Sequence, residues 1–329
     1  MKNLPIPRLD LDESFRENLL PHCRLKVGEI WSDPLGRHRV GCLDATALPD
    51  IEKLMGDKRA LLAVQDPPYN VAALAHLSIT EYIQWSKKWV NTTAFALSHN
   101  AALYVWLGAD QKEDLQPLPD FMLMMRDTLF EARSFLTMRN QRGYGTQQNW
   151  MAVRQELLYY IRGNPPFNVD AEYTDIPKIL RGYYKEVNGE LTENLERSKS
   201  DCIRAGNVWV DVQQVFYRME ENVNGCYVQK PLKAIERIIK ASSVEGSLVV
   251  DFFCHSGTTL LGCERLKRSC YTIDIDPIYC EIAIRRLERF RTKGKLGWQN
   301  SNPFEKELGM ETTLNLKSPV KREEEPSLF

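Results

Sequence analysis

The chain has 329 residues, 43% hydrophobic and 26% charged, with 43 basic against 44 acidic side chains and a net charge of -1. That balance fits a globular protein with a substantial core and excludes collagen-like and disulfide-stapled classes. No apolar run reaches the roughly 18 residues of a membrane span, and the start, Met-Lys-Asn-Leu-Pro-Ile-Pro-Arg, lacks the apolar stretch of a secretory signal.

Residues 1–38 mix charge, proline and short apolar runs, and read as an arm that packs on a domain. Residues 59–65 form an apolar run of strand length that stops at Asp66-Pro67-Pro68-Tyr69-Asn70. A helix is predicted over 80–90, a second buried strand over 101–107, and a helix over 121–135 from its Phe/Leu/Met spacing. Residues 139–149, polar and glycine-containing, read as a loop; 156–161 as a strand; and 165–207 as a polar insertion with local helices. The segment 231–242 opens with proline and carries Ile235, Ile238 and Ile239 on one face, so it is a helix. Then strand 247–253, a small-residue turn at 254–259, helix 259–267, strand 269–275 and a helix capped by Asp276-Pro277 follow in order. This β-α-β-α unit implies a parallel sheet. After Lys295 the chain turns polar and reads as a flexible tail. None of the eight cysteines forms a C-x-x-C pair and the five histidines add no ligand spacing, so reduced thiols and no metal site are expected.

Two stretches carry chemistry. A parallel strand delivers the turn at Ser256, Gly257, Thr258 and Thr259 to the carboxyl edge of the sheet, where ligands of open α/β folds bind. Asp274 ends the next strand, at the spacing where an acid meets a ribose hydroxyl; the bland alternative is an ordinary βα turn. G-x-G-x-x-G and the Walker lysine are both missing there, which argues against NAD and ATP. The second stretch is Asp66-Pro67-Pro68-Tyr69. Two prolines remove backbone donors, so the turn offers acceptors, and Tyr69 adds a flat face. Such a turn holds an amino group on an aromatic ring and frees its lone pair. Asn164-Pro165-Pro166-Phe167 repeats the pattern, but Asp66 follows the longer apolar strand and is preferred.

With both stretches present, the chain resembles the beta group of DNA amino-methyltransferases, in which the catalytic motif precedes the cofactor motif. The resemblance runs from about Val40 to Arg289, through Gly41-Cys-Leu-Asp44, Asp66-Pro-Pro-Tyr-Asn70, Gln229-Lys230-Pro231, Val250-Asp251-Phe252-Phe253…Ser256-Gly-Thr-Thr259 and Asp274-Ile-Asp-Pro277. It implies a Rossmann-like, seven-stranded α/β sheet with helices on both faces, and S-adenosylmethionine as cofactor. It implies division into an arm (1–38), a catalytic half (39–138), a target-recognition insertion (139–206), a cofactor half (207–295) and a tail (296–329). Asp66, Pro67, Pro68 and Tyr69 are then the catalytic turn. Asp44, Lys230, Asp251, Phe252, Phe253, Ser256, Gly257, Thr258, Thr259 and Asp274 bind cofactor, with Lys230 on its carboxylate and Asp274 on its ribose. Aspartate in the first place of the tetrapeptide implies adenine N6; cytosine N4, an RNA amine and a non-catalytic binding module are the alternatives. His255 departs from the family's usual glycine, and Gly41 from an acid whose place Asp44 is expected to take. Double-stranded DNA is the expected partner, with a restriction endonuclease as a second, in a bacterial or phage cytoplasm at the nucleoid. The end, Ser327-Leu328-Phe329, resembles peptides that dock on the bacterial sliding clamp; folding back as a terminal anchor is the alternative.

Overall fold

The computed structural model describes residues 6–9, 12–70, 74–108, 113–144, 150–168, 184–193, 205–299 and 301–308. In chain order the strands are β1 (Ile30–Ser32), β2 (His38–Cys42), β3 (Ala60–Gln65), β4 (Leu97–Trp106), β5 (Glu131–Tyr144), β6 (Ala152–Arg162), β7 (Tyr184–Val187), β8 (Glu190–Glu193), β9 (Val208–Trp209), β10 (Leu248–Asp251) and β11 (Ser269–Asp274). The helices are α1 (Glu13–Leu19), α2 (Leu48–Met55), α3 (Ile79–Ala96), α4 (Leu118–Met125), α5 (Leu232–Ser242), α6 (Thr258–Arg265) and α7 (Pro277–Lys293). None of the described helices is long and apolar enough to cross a membrane.

Nine strands form one sheet in the order β1-β2-β11-β10-β3-β4-β6-β5-β9, and β7 and β8 pair separately. The seven central strands are the sheet the resemblance implies. The count rises to nine because β1 pairs antiparallel with β2 on one edge and β9 pairs with β5 on the other. From β2 to β4 every pairing is parallel, while β6 runs antiparallel to both β4 and β5. Side chains alternate across this sheet. Ala63, Leu103, Val105 and Val250 face α2, α3 and α4 in one core, with Trp89 and Phe121 stacked 5.7 Å apart. Leu62, Val64, Tyr104, Trp106 and Val249 face α5, α6 and α7 in the other.

Three expectations are corrected. The helix over 121–135 ends at Met125, and β5 begins at Glu131. Residues 139–144, read as loop, continue β5, with Tyr144 opposite Ala152. The chain beyond Lys295 packs: Trp298 and Phe304 are buried with Ile6, Leu9 and Leu19 of the arm against Ile278 and Ile282 of α7. Leu328 and Phe329 lie outside the described residues, as do 145–149, 169–183 and 194–204 of the insertion.

Candidate active site

Strand direction brings the chemistry to one edge. β2, β11, β10, β3 and β4 run parallel, so Asp44, Asp274, Asp251 and Asp66 all leave or close strands at the carboxyl edge. The chain proceeds from β10 to β11 on one side and from β3 to β4 on the other. β10 and β3 therefore flank the reversal point of the sheet, where a crevice opens in folds of this type. Gln65 ties its two walls: its amide oxygen accepts from Phe252 N–H at 2.8 Å, and its amide nitrogen donates to Thr93 at 3.2 Å. The look-alike turn at Asn164 leaves β6, which runs the other way, and so emerges at the opposite edge, beside Asn100.

The crevice is lined by Asp66, Lys230, Asp251, Phe253, Ser256, Thr258 and Thr259 from the sequence reading, with Val64, Trp106, Ile235, Cys254 and His255 added. Asp66 follows β3 in a turn held by Tyr82, whose hydroxyl donates to the Pro68 carbonyl at 3.1 Å. The Asp66 Oδ1 atom lies 3.0 Å from Lys230 Nζ and accepts from the Tyr69 hydroxyl at 3.4 Å. Lys230 is buried, with its ammonium 5.3 Å from the centre of the Trp106 ring and 5.6 Å from that of Tyr69. Its partner is thus the carboxylate of the tetrapeptide, where the sequence reading directs it to a cofactor carboxylate. Burial raises the Asp66 carboxyl from its ordinary value, and Lys230 and Tyr69 oppose the rise.

The turn after β10 is shaped by α7 packed behind it. Gly257 has φ +70°, and a Cβ there would lie 2.8 Å from Ala283 Cβ, so only glycine fits. His255 also has a positive φ, 45°, a conformation that favours glycine and marks local strain. That conformation aims the His255 N–H at Asp274 Oδ2, 2.9 Å away, while the imidazole meets Tyr279 with ring centres 4.8 Å apart. Asp274 Oδ1 accepts from Asp276 N–H at 3.1 Å. Asp251 accepts from Phe253 N–H at 3.0 Å. Burial pushes both carboxyls, Asp251 and Asp274, up to about 7.

Four cofactor assignments, Asp44, Phe252, Gly257 and Asp274, fall outside the crevice lining. Asp44 spends its Oδ1 on the Thr46 N–H and hydroxyl, both at 2.8 Å, although its neighbour Leu43 bonds to the Asp274 carbonyl. Phe252 points into the core and offers its backbone alone. Sequence reasoning missed Arg286. This fully buried guanidinium on α7 donates to Ser256 O at 2.9 Å, Thr258 Oγ1 at 3.0 Å, Leu296 O at 2.7 Å and Glu221 O at 3.1 Å, lashing the turn to three segments. An arginine inside a helix carries no sequence signal that separates it from a solvated face. Trp106 was missed as well; its Nε1 donor is buried on the crevice with no partner among the described residues.

Residues 61–285 match a family described as DNA methylase, N6_N4_Mtase. The chain is 26% identical over 232 residues to the Type II methyltransferase M.HpaI of Haemophilus parainfluenzae, covering 69% of this chain and 68% of that protein. It is 26% identical over 254 residues to the DNA adenine methyltransferase YhdJ of Escherichia coli strain K12, covering 74% of this chain and 80% of that one. Its fold is similar to the solved structure of the PvuII DNA methyltransferase, which is cytosine-N4-specific. The TM-score is 0.54 at 14% identity, covering 75% of this chain and 85% of that one.

Proposed function

This chain belongs to the N6/N4 family of DNA methylases, and on that premise we propose that it methylates the N6 amine of an adenine flipped out of double-stranded DNA. The observation that carries the reading is the meeting of the Asp66 turn and the Asp251–Thr259 turn across one crevice, joined by Gln65. The donor is S-adenosylmethionine, which when bound supplies an electrophilic methyl group on a positively charged sulfur. The crevice suits such a group. Asp251 lines it, Asp274 stands beside it at His255, and Trp106 Nε1 is a buried donor with no partner among the described residues.

In this reading Asp274 takes the ribose hydroxyls and the turn at Ser256–Thr258 cradles the rest of the cofactor. A base must leave its stack to reach Asp66. The Asp66 carboxylate and the Pro67 carbonyl accept the two N–H bonds of the amine, and Tyr69 stacks on the ring. Both acceptors draw the N–H bonds away from the ring plane, so the nitrogen lone pair points at the methyl carbon. Positioning and fixed charge then do the catalysis. As the N–C bond forms and the methyl's bond to sulfur breaks, its electron pair going to the sulfur, the surplus proton on nitrogen passes to the Asp66 carboxylate. Val64, Ile235 and Phe253 keep water from the amine. Aspartate at position 66 is the feature that favours adenine over cytosine. The Type II relative M.HpaI suggests a restriction–modification setting, with an endonuclease as counterpart.

Expression of the chain in a host free of DNA methylation, followed by single-molecule sequencing of genomic DNA, tests this. N6-methyladenine at one recurring sequence is expected. N4-methylcytosine would overturn the choice of base, and unmodified DNA the activity itself.

A further inference from the structure

Every contact of the Asp66 carboxylate among the described residues falls on one oxygen. Lys230 Nζ lies 3.0 Å from Oδ1, and the Tyr69 hydroxyl donates to the same atom at 3.4 Å. Lys230 also donates to the Tyr69 hydroxyl at 3.5 Å, which closes a three-membered cluster. The ammonium has little freedom, because it is buried between the Tyr69 and Trp106 rings and its backbone is pinned between Gln229 and Pro231. Gln229 is itself bonded to Val223 and Glu221. We infer that Lys230 is the positioning residue of the Asp66 carboxylate: it occupies Oδ1, sets the plane of the carboxyl group and leaves Oδ2 to the substrate amine. The inference rests on the methyltransferase reading and assigns a task within it, one that differs from binding the cofactor's carboxylate.

Charge supports the geometry. The titratable groups that face Asp66 are Tyr69 on its own turn, Tyr82 of α3, Asp251 of β10 and Lys230 ahead of α5; Glu156 of β6 faces Tyr69. Lys230 is the only cation in ion-pair contact with Asp66 among the described residues. Burial and Asp251 both oppose ionisation of Asp66, and Lys230 is what opposes them. A protonated Asp66 would present a donor on one oxygen and lose its pull on the amine. Lys230 therefore keeps the acceptor charged as well as oriented.

The test compares parent, Lys230→Gln and Lys230→Arg. Three readouts are the pH profile of kcat, cofactor affinity by calorimetry, and the 13C carboxyl titration of Asp66 in free protein. For Lys230→Gln the acid limb of kcat and the Asp66 midpoint should move to the alkaline side by about one pH unit or more, the size expected when an opposite charge in contact is removed. Cofactor affinity should hold, and Lys230→Arg should restore the limb. An unmoved limb together with a tenfold or greater loss of cofactor affinity overturns the inference and returns Lys230 to the cofactor. Asp66→Asn provides a reciprocal check that does not depend on folding of the Gln variant. The 15N shift of the Lys230 ammonium should move once its partner is neutral, and an unchanged shift also overturns the pairing. If the parent shows no methyl transfer at all, the functional reading fails, yet the two NMR measurements still judge the ion pair.

Discussion

Asp66→Ala should abolish methyl transfer and leave cofactor affinity unchanged, since in the proposed mechanism Asp66 acts on the amine and other residues hold the cofactor. Radiolabel transfer and calorimetry on the same preparation check this; lost cofactor binding in a folded variant would mean the roles are exchanged. Asn164→Ala, at the opposite sheet edge, should keep full activity. Asp274 allows a pH prediction with a definite sign. Its carboxyl is pushed up to about 7, and hydroxyl donors bind the ionised form. Cofactor affinity should therefore fall about tenfold between pH 8 and pH 6, with protons released on binding near neutrality. Asp251 is pushed into the same range and raises Asp274, so the midpoint measured reports on both carboxyls. Asp274→Asn should flatten the slope, and calorimetry in two buffers of different ionisation heat would reveal a slope that stays. Stability of the free protein runs the other way. Folded values near 7 lie above the unfolded value of about 3.9, so the contribution is full below that value and is lost as pH rises through 7. The acids of this site were legible in sequence because each ends a strand or opens a turn. The partner of Lys230 was not, because its sequence neighbours say nothing about which side of the crevice the ammonium joins.

At the level of elements, α7 supports the turn after β10. Arg286→Met would strip the carbonyls of Ser256 and Leu296 of their donor, while Glu221 O keeps its bond from Gln229. Buried unpaired groups cost about 1–3 kcal/mol each, so a loss of about 2 kcal/mol or more is expected in urea unfolding. At temperatures where the variant is still folded, cofactor affinity should drop further than it does for a control of equal stability loss, such as Ile282→Ala. Equal drops would make Arg286 a plain structural residue. The unit from β10 to α7 was readable because each element is short and changes its hydrophobic period at a turn. The region from α4 to β5 was not. Phe121, Met124 and Met125 are buried at helical spacing, whereas Leu136 and Met138 are buried at spacing two, and one window across both blends the periods. Between 230 and 295 there are 13 basic against 8 acidic residues, and several of the basic ones are neutralised by ion pairs. Arg237 pairs with Asp211, Arg265 with Glu236, Arg285 with Glu281 and Arg291 with Asp33 and Glu264.

For the molecule as a whole, the third core is decisive for stability. Trp298 and Phe304 share one buried cluster with Leu9 and Leu19 of the arm and Ile278 and Ile282 of α7. Phe304→Ala should cost about 3–5 kcal/mol, the range for emptying a buried aromatic site. A chain ending at residue 295 should melt well below one ending at 308; equal melting by calorimetry would restore the picture of a loose tail. Sequence reading missed this because two aromatic residues in a polar stretch give no period to follow.

The same core has a topological meaning. Segments near the two limits of the described chain share one patch on α7, so the path through the fold is nearly a closed ring. Which motif comes first along such a ring depends on where it is cut. The turn at 56–59, between α2 and β3, is exposed throughout and offers another cut. A permuted chain that starts at Asp57, crosses from the 308 region to the arm through a flexible linker and ends at Gly56 should fold and keep its activity, and a permutant that refolds without activity would show that the original cut is itself functional.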